Sequence, residues 1–177
     1  MRVLSGHYLE NPGWPDGEFD NGNNQSLVIR IDFDQASFLF TGDMEETALE
    51  TLIDKYAETR MLDVDFYEVG HHGSHNGTTA ELLEAMSPKA AVISMGPAAI
   101  EERWTAWAYG HPRSDVVTLL AGAVSDQRAT AAKVKVAQRV KRFAEIDMTR
   151  AVYATGWDGD VVVRARTDGT YSVELAR

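Results

Sequence analysis

SFLFTGDMEETALETLIDKYAETRMLDVDFYEVGHHGSH, residues 37–75, is the stretch whose reading decides the fold. Phe38-Leu39-Phe40 is an apolar run closed by Thr41-Gly42-Asp43. Met44, Ala48, Leu49, Leu52, Ile53 and Tyr56 then recur at helical spacing, which predicts a helix over 44–57. A second apolar run over 64–69 delivers Gly70-His71-His72-Gly73-Ser74-His75. Two parallel strands joined by that helix bring Asp43 and the histidines to the same, carboxyl edge of a sheet, where open α/β sheets hold their ligands. A carboxylate and imidazoles on neighbouring loops are the start of a metal site.

Asp43 with Glu46 three residues on also reads as a helix N-cap, and one carboxylate can serve both roles. Three of the five histidines fall within five positions of a glycine-bounded turn rather than on an apolar face. Neutral imidazole is a common zinc ligand, and His111, in Tyr-Gly-His-Pro, repeats the pairing of glycine, histidine and helix start.

Outside this stretch the sequence predicts a short strand at 2–4 and a turn-rich loop over 11–24. A hairpin is expected from 27–33 and 37–41, a helix through about Met86 opened by the capping box Thr78-Thr79-Ala80-Glu81, and a strand at 90–95. A loop or short helix over 96–111 carries Trp104, Trp107 and Tyr109, and Pro112 opens a helix to about 121. Residues 129–146 read as a further helix, with Val136, Val140, Phe143 and Ala144 on one face, and the chain ends in short strands at 151–154, 160–166 and 171–175.

With 177 residues and no dividing linker, a single domain is expected, able to bury roughly 70% of its unfolded surface. The absence of cysteine removes thiolate chemistry and disulfides. No apolar run reaches membrane-spanning length and the first residues lack a signal-peptide core, so a cytoplasmic location is the default. The net charge of −10 is uneven: residues 1–70 hold 15 acidic and 4 basic side chains. Bulk charge therefore disfavours nucleic acid, with one local exception, the six basic and no acidic residues of 128–142. That stretch reads as a solvated helix face or as a surface that steers a phosphate-bearing substrate.

Read in order, Asn-Asn-Gln-Ser-Leu-Val-Ile-Arg (23–30), Phe-Leu-Phe-Thr-Gly-Asp (38–43), Val-Gly-His-His-Gly-Ser (69–74), Ser-Pro-Lys-Ala-Ala-Val-Ile-Ser (87–94), Gly-His-Pro (110–112) and Val-Tyr-Ala-Thr-Gly-Trp-Asp-Gly (152–159) resemble metallo-β-lactamase-fold hydrolases, in the branch found in ComEC-like DNA-uptake competence proteins. The resemblance implies an α/β fold, an αββα sandwich, with the basic segment at about 123–148 as a helical insertion. It implies one or two zinc or manganese ions that activate a water against a phosphodiester, ester or amide. The TGD aspartate points to Asp43 as a metal ligand. The histidine after the next strand points to His71 or His72, with His71 assigned to the metal and His72 and His111 to catalysis. Asn24 and Ser74 are then expected to contact substrate, and nucleic acid is among the substrates implied.

The family's His-x-His-x-Asp-His motif is absent from this sequence. The expectation is therefore a C-terminal portion of the fold, active when another chain or a preceding half completes the site. The alternative is a catalytically inactive remnant or scaffold module.

Overall fold

A computed structural model describes residues 1–99 and 104–176. Its centre is a six-stranded sheet in the order β1-β2-β3-β4-β5-β8, from β1 (Arg2–Ser5), β2 (Val28–Phe33), β3 (Ala36–Phe40), β4 (Phe66–Glu68), β5 (Ala90–Ile93) and β8 (Val152–Ala154). The first three strands pair antiparallel, and β3, β4, β5 and β8 pair parallel. The parallel strands are linked through α1 (Glu46–Tyr56), α2 (Ala80–Met86) and α3 (Ser114–Ala123). Register sets Phe40 beside Glu68 and Glu68 beside Val92, so the turns after β3, β4 and β5 leave the sheet along one edge.

Side chains alternate between the two faces. Leu39, Tyr67 and Ala91 are buried in one core with Leu49, Leu52 and Leu82 of the helices. On the opposite face Phe38 stacks on Phe66 with ring centroids 4.6 Å apart, and Tyr171 meets Phe66 edge-on. Tyr171 belongs to the terminal hairpin β9 (Asp160–Ala165) and β10 (Tyr171–Ala176), which covers the parallel strands. Beyond it, Val3, Ile31, Phe33 and Phe40 remain exposed on the same face.

The helix predicted over 44–57 begins later, at Glu46, and its N-cap is Glu45. Asp43 therefore does not cap it. The helix expected after the Thr78-Thr79-Ala80-Glu81 box is present, as α2, but Thr79 caps it rather than Thr78, its hydroxyl accepting from Leu82 N–H at 3.2 Å.

The helix predicted over 129–146 is wrong. Residues 127–150 form a long antiparallel hairpin, β6 (Gln127–Arg139) and β7 (Arg142–Arg150). Lys133-Val134-Lys135-Val136 alternates with period two, burying both valines and turning both lysines away from the core. The insertion is thus a β-ribbon, not a helix. Its base is pinned by Arg128, which lies 4.5 Å over the Tyr153 ring and donates to Asp158 and to the Val152 carbonyl. Asp158 closes the single turn α4 (Thr155–Asp158) and accepts from Ala154 N–H at 3.1 Å. Of the loop predicted over 96–111, residues 100–103 lie outside the described residues.

Candidate active site

Asp43, His71, His72, Trp104, Ala106, Tyr109 and His111 line a cleft of about 410 Å³ at the carboxyl edge of the sheet. The two turns that carry Asp43 and the histidine pair are tied together: His71 N–H donates to Gly42 O at 3.0 Å, and Asp43 N–H donates to Ser26 Oγ at 3.2 Å. Beneath them the wholly buried Tyr67 hydroxyl accepts from Gly70 N–H at 3.0 Å, sits 3.0 Å from Thr78 Oγ1, and donates to Gly77 O at 3.3 Å. A neutral hydroxyl at the crossing of three groups fixes the loop without burying a charge, and burial raises its pKa above the phenolic range.

His71 and His72 both adopt left-handed backbone, with φ of 48° and 54°, and Gly73 follows at 78°. Successive left-handed residues are costly and occur where the surroundings hold them. At Gly73 a Cβ would lie 2.8 Å from Pro112 Cβ, so glycine lets the His111–Pro112 segment close against the turn. Arg113 N–H donating to Gly73 O at 2.9 Å seals that approach. The His71 and His111 rings end 5.7 Å apart.

The two adjacent imidazoles have different partners. His72 Nδ1 lies 2.7 Å from Ser94 O, which can only accept, so Nδ1 carries the proton and Nε2 is left with its lone pair. That Nε2 is 3.8 Å from Asp43 Oδ1. His71 Nδ1 instead faces Glu45 Oε1 at 3.4 Å, close enough for charge to act but not aligned as a hydrogen bond. Glu45 is held there by the side-chain amides of Asn21 at 3.0 Å and Asn23 at 2.8 Å. A carboxylate facing Nδ1 favours the proton on that nitrogen and leaves Nε2 free. Glu45 and its two asparagines were not anticipated from the sequence. The signal was the run Asn21-Gly-Asn-Asn opposite an acidic turn.

Two residues expected to contact substrate lie apart from the cleft lining. Asn24 is fully buried, donating to Glu18 O and Oε2 and accepting from Glu45 N–H. Ser74 is buried too, its hydroxyl spent on Asn76 Oδ1 at 2.6 Å. Neither is among the residues that line the cleft. The pairing of Asp43 with His72 also differs from the assignment of His71 as its fellow metal ligand.

Burial shifts two groups at the edge in opposite senses. Glu68 is pushed up to about 7 by burial and then by the charge of Asp43. His111 is lowered to about 4 by burial and then by His71, His72, His75 and Arg113, so at neutral pH it is uncharged. Its Nδ1 is buried without a hydrogen-bond partner.

Zinc or manganese is the cofactor expected here. Among the described residues no three His, Asp or Glu side chains come together in a group that could hold a metal ion. What exists is two separate pairs, Asp43–His72 and Glu45–His71. These residues alone do not fit a dinuclear centre.

Comparison with known proteins gives the same direction as the motifs. The sequence profile of the metallo-beta-lactamase superfamily matches residues 9–96. An uncharacterized Escherichia coli protein, YcaI, is 32% identical over 95 residues, which is 53% of this chain and 12% of that protein. ComE operon protein 3 of Bacillus subtilis is 32% identical over 120 residues, 68% of this chain and 14% of its own length. Recombination protein 2 of Haemophilus influenzae is 36% identical over 89 residues, 50% of this chain and 10% of its length. The chain thus spans only a small part of the curated relatives it matches.

Proposed function

The chain belongs to the metallo-beta-lactamase superfamily, and we propose that it forms one wall of a hydrolase site acting on phosphodiesters or related esters. The observation that carries this is the convergence of Asp43, His71, His72 and His111 on one cleft, with the imidazoles held in defined proton states. His72 Nε2, which carries the lone pair in the neutral tautomer selected by the Nδ1 bond to Ser94, is the atom able to take a proton from a bound water. Neutral His111 supplies a hydrogen bond to a substrate oxygen. Asp43 and His71 are the donors this chain offers to a cation, and since no three-donor group forms among the described residues, a cation there needs donors from a partner segment.

The absence of a three-donor group among the described residues supports a second reading, a non-catalytic scaffold. Metal titration by calorimetry, with hydrolysis of bis-nitrophenyl phosphate, separates the two. With the segment that completes the site present, the hydrolase reading expects zinc or manganese uptake and a rate that Asp43→Asn lowers by about 100-fold or more, on the scale of removing a positioned catalytic group. Folded protein that, with that segment present, takes up neither metal and shows no hydrolysis with either would leave the scaffold.

A further inference from the structure

A groove of about 510 Å³ runs between α2 and α3 on the solvent side of the helices, and it shares no lining residue with the histidine cleft. The two helices lie side by side and end together, where Ser125 N–H donates to Pro88 O at 3.1 Å. Leu83 and Leu119 give the groove its apolar walls, and Ala80 and Gly122 keep it open by being small. Leu119 is 40% exposed.

The chain itself does not require glycine at position 122. A Cβ built there meets nothing within 4 Å, and glycine inside a helix is less stable than alanine. What glycine permits at this place is the close approach of a backbone from outside the chain.

The groove also has a sign. Glu84 lines it, and Glu81 stands about one turn earlier on the same helix. Both are exposed and carry no ion pair among the described residues. Asp115 is exposed on α3, 3.5 Å from Arg113. Neither α2 nor α3 contains a Lys or Arg. Arg150, at the end of the groove, donates to Ser125 O at 3.1 Å.

We propose that this groove docks a cationic amphipathic helix of a partner protein. Its apolar ridge sits between Leu83 and Leu119, and its lysines or arginines face Glu81 and Glu84. The occupant is a helix because α2 and α3 use their backbone groups internally and leave an extended segment nothing to pair with, whereas a ridge of side chains fits between two helices. The ten residues of α3 span about 15 Å, room for roughly three turns. Charge opposes a second copy as occupant, since α1 offers Glu46, Glu50 and Asp54 against Lys55. The same carboxylates repel anionic membranes and nucleic acid alike.

The test is fluorescence anisotropy on the full chain with a labelled peptide of about 14 residues, leucine and lysine placed at helical period. The control has the same composition with leucine and lysine alternating, which gives no single apolar helix face. Expected is saturable binding of the first peptide, at least about tenfold tighter than of the control. Leu119→Gln with Gly122→Gln, which removes the apolar wall and narrows the gap, should weaken binding about tenfold or more and leave its salt dependence unchanged. Glu81→Gln with Glu84→Gln should weaken it about fivefold and make it less sensitive to salt. Glu46→Gln with Glu50→Gln removes the same charge from α1 and should change nothing. All six positions are exposed on helices, and circular dichroism confirms that the variants fold.

Unchanged affinity in the Leu119 and Gly122 variant overturns the proposal. So does equal binding of the two peptides, or a loss on α1 as large as that on α2, either of which would reduce the effect to bulk charge. A dimer in light scattering that the Leu119 and Gly122 variant dissolves would assign the groove to a second copy and overturn it as well.

Discussion

The histidine turn at residues 70–78 and the β6–β7 hairpin meet at Gly110–Pro112, yet they are held in opposite ways. The turn is fastened from below by neutral groups, with the Tyr67 hydroxyl bonded to backbone and to Thr78. The hairpin is fastened at its base by a buried ion pair, Arg128–Asp158, and keeps Arg139, Lys141 and Arg142 at its tip exposed. Where the turn's backbone has to be fixed, the fold uses neutral buried donors and acceptors at little desolvation cost. Where charge is to be offered outward, it anchors the element far from the charged end.

The largest effect expected from this contrast is at the hairpin base. Arg128→Ala strands the Asp158 carboxylate in the core, and chemical denaturation should show a loss of about 3–5 kcal/mol. If the two regions are held independently, the His72 ring resonances should stay where they are. Movement of those resonances would show that the ion pair also sets the turn.

A smaller effect, of opposite sign, is expected where β4 feeds the turn. Glu68 titrates near 7 in the fold against 4.5 for the free group. Across that window the folded chain keeps a proton that the unfolded chain has lost, so stability falls as pH rises. His111, lowered to about 4 from 6.5, acts the other way: stability falls as pH drops through that range. Between 4.5 and 6.5 the two slopes oppose each other. Glu68→Gln removes one of them. Thermal melts in chelator should then show a gain of about 2 kcal/mol above pH 7, little change near pH 4, and a rise between them. A variant with the parent's pH profile would show that Glu68 is not strained.

The smallest energetic effect is at Glu45. Glu45→Gln keeps the shape between Asn21 and Asn23 but removes the charge facing His71 Nδ1, and should change stability by less than about 1 kcal/mol. Long-range proton–nitrogen spectra should nonetheless show the His71 proton moving from Nδ1 towards Nε2. An unchanged tautomer would remove Glu45 as the group that orients this ring.

Most of the parallel sheet was legible because its signals are local. Phe38–Phe40 and Val64–Val69 are apolar runs bounded by glycine turns, and Thr79 is followed by a helix-period pattern. The hairpin at 127–150 was not. Its turn, Val140-Lys141, has none of the usual Gly, Asn or Asp residues, although Lys141 adopts a φ of 60°. Its apolar positions also imitate a helix when Val136, Val140 and Phe143 are counted at wider spacing. The meeting of Asp43 with a histidine followed from topology. Which histidine did not, because that depends on Ser94 and Glu45, which lie on other segments. The burial of Asn24 and Ser74 likewise depends on partners that spacing does not reveal.

The left-handed backbone at positions 71 and 72 bears on how such a site is lost in evolution. Histidine is one of the few non-glycine residues, with asparagine and aspartate, that tolerate this conformation. Replacement of either imidazole by asparagine would leave the turn intact, and glycine would relieve its strain. Selection for folding alone would therefore not retain the rings. Where both persist in descendants of this chain, something other than structural integrity has kept them.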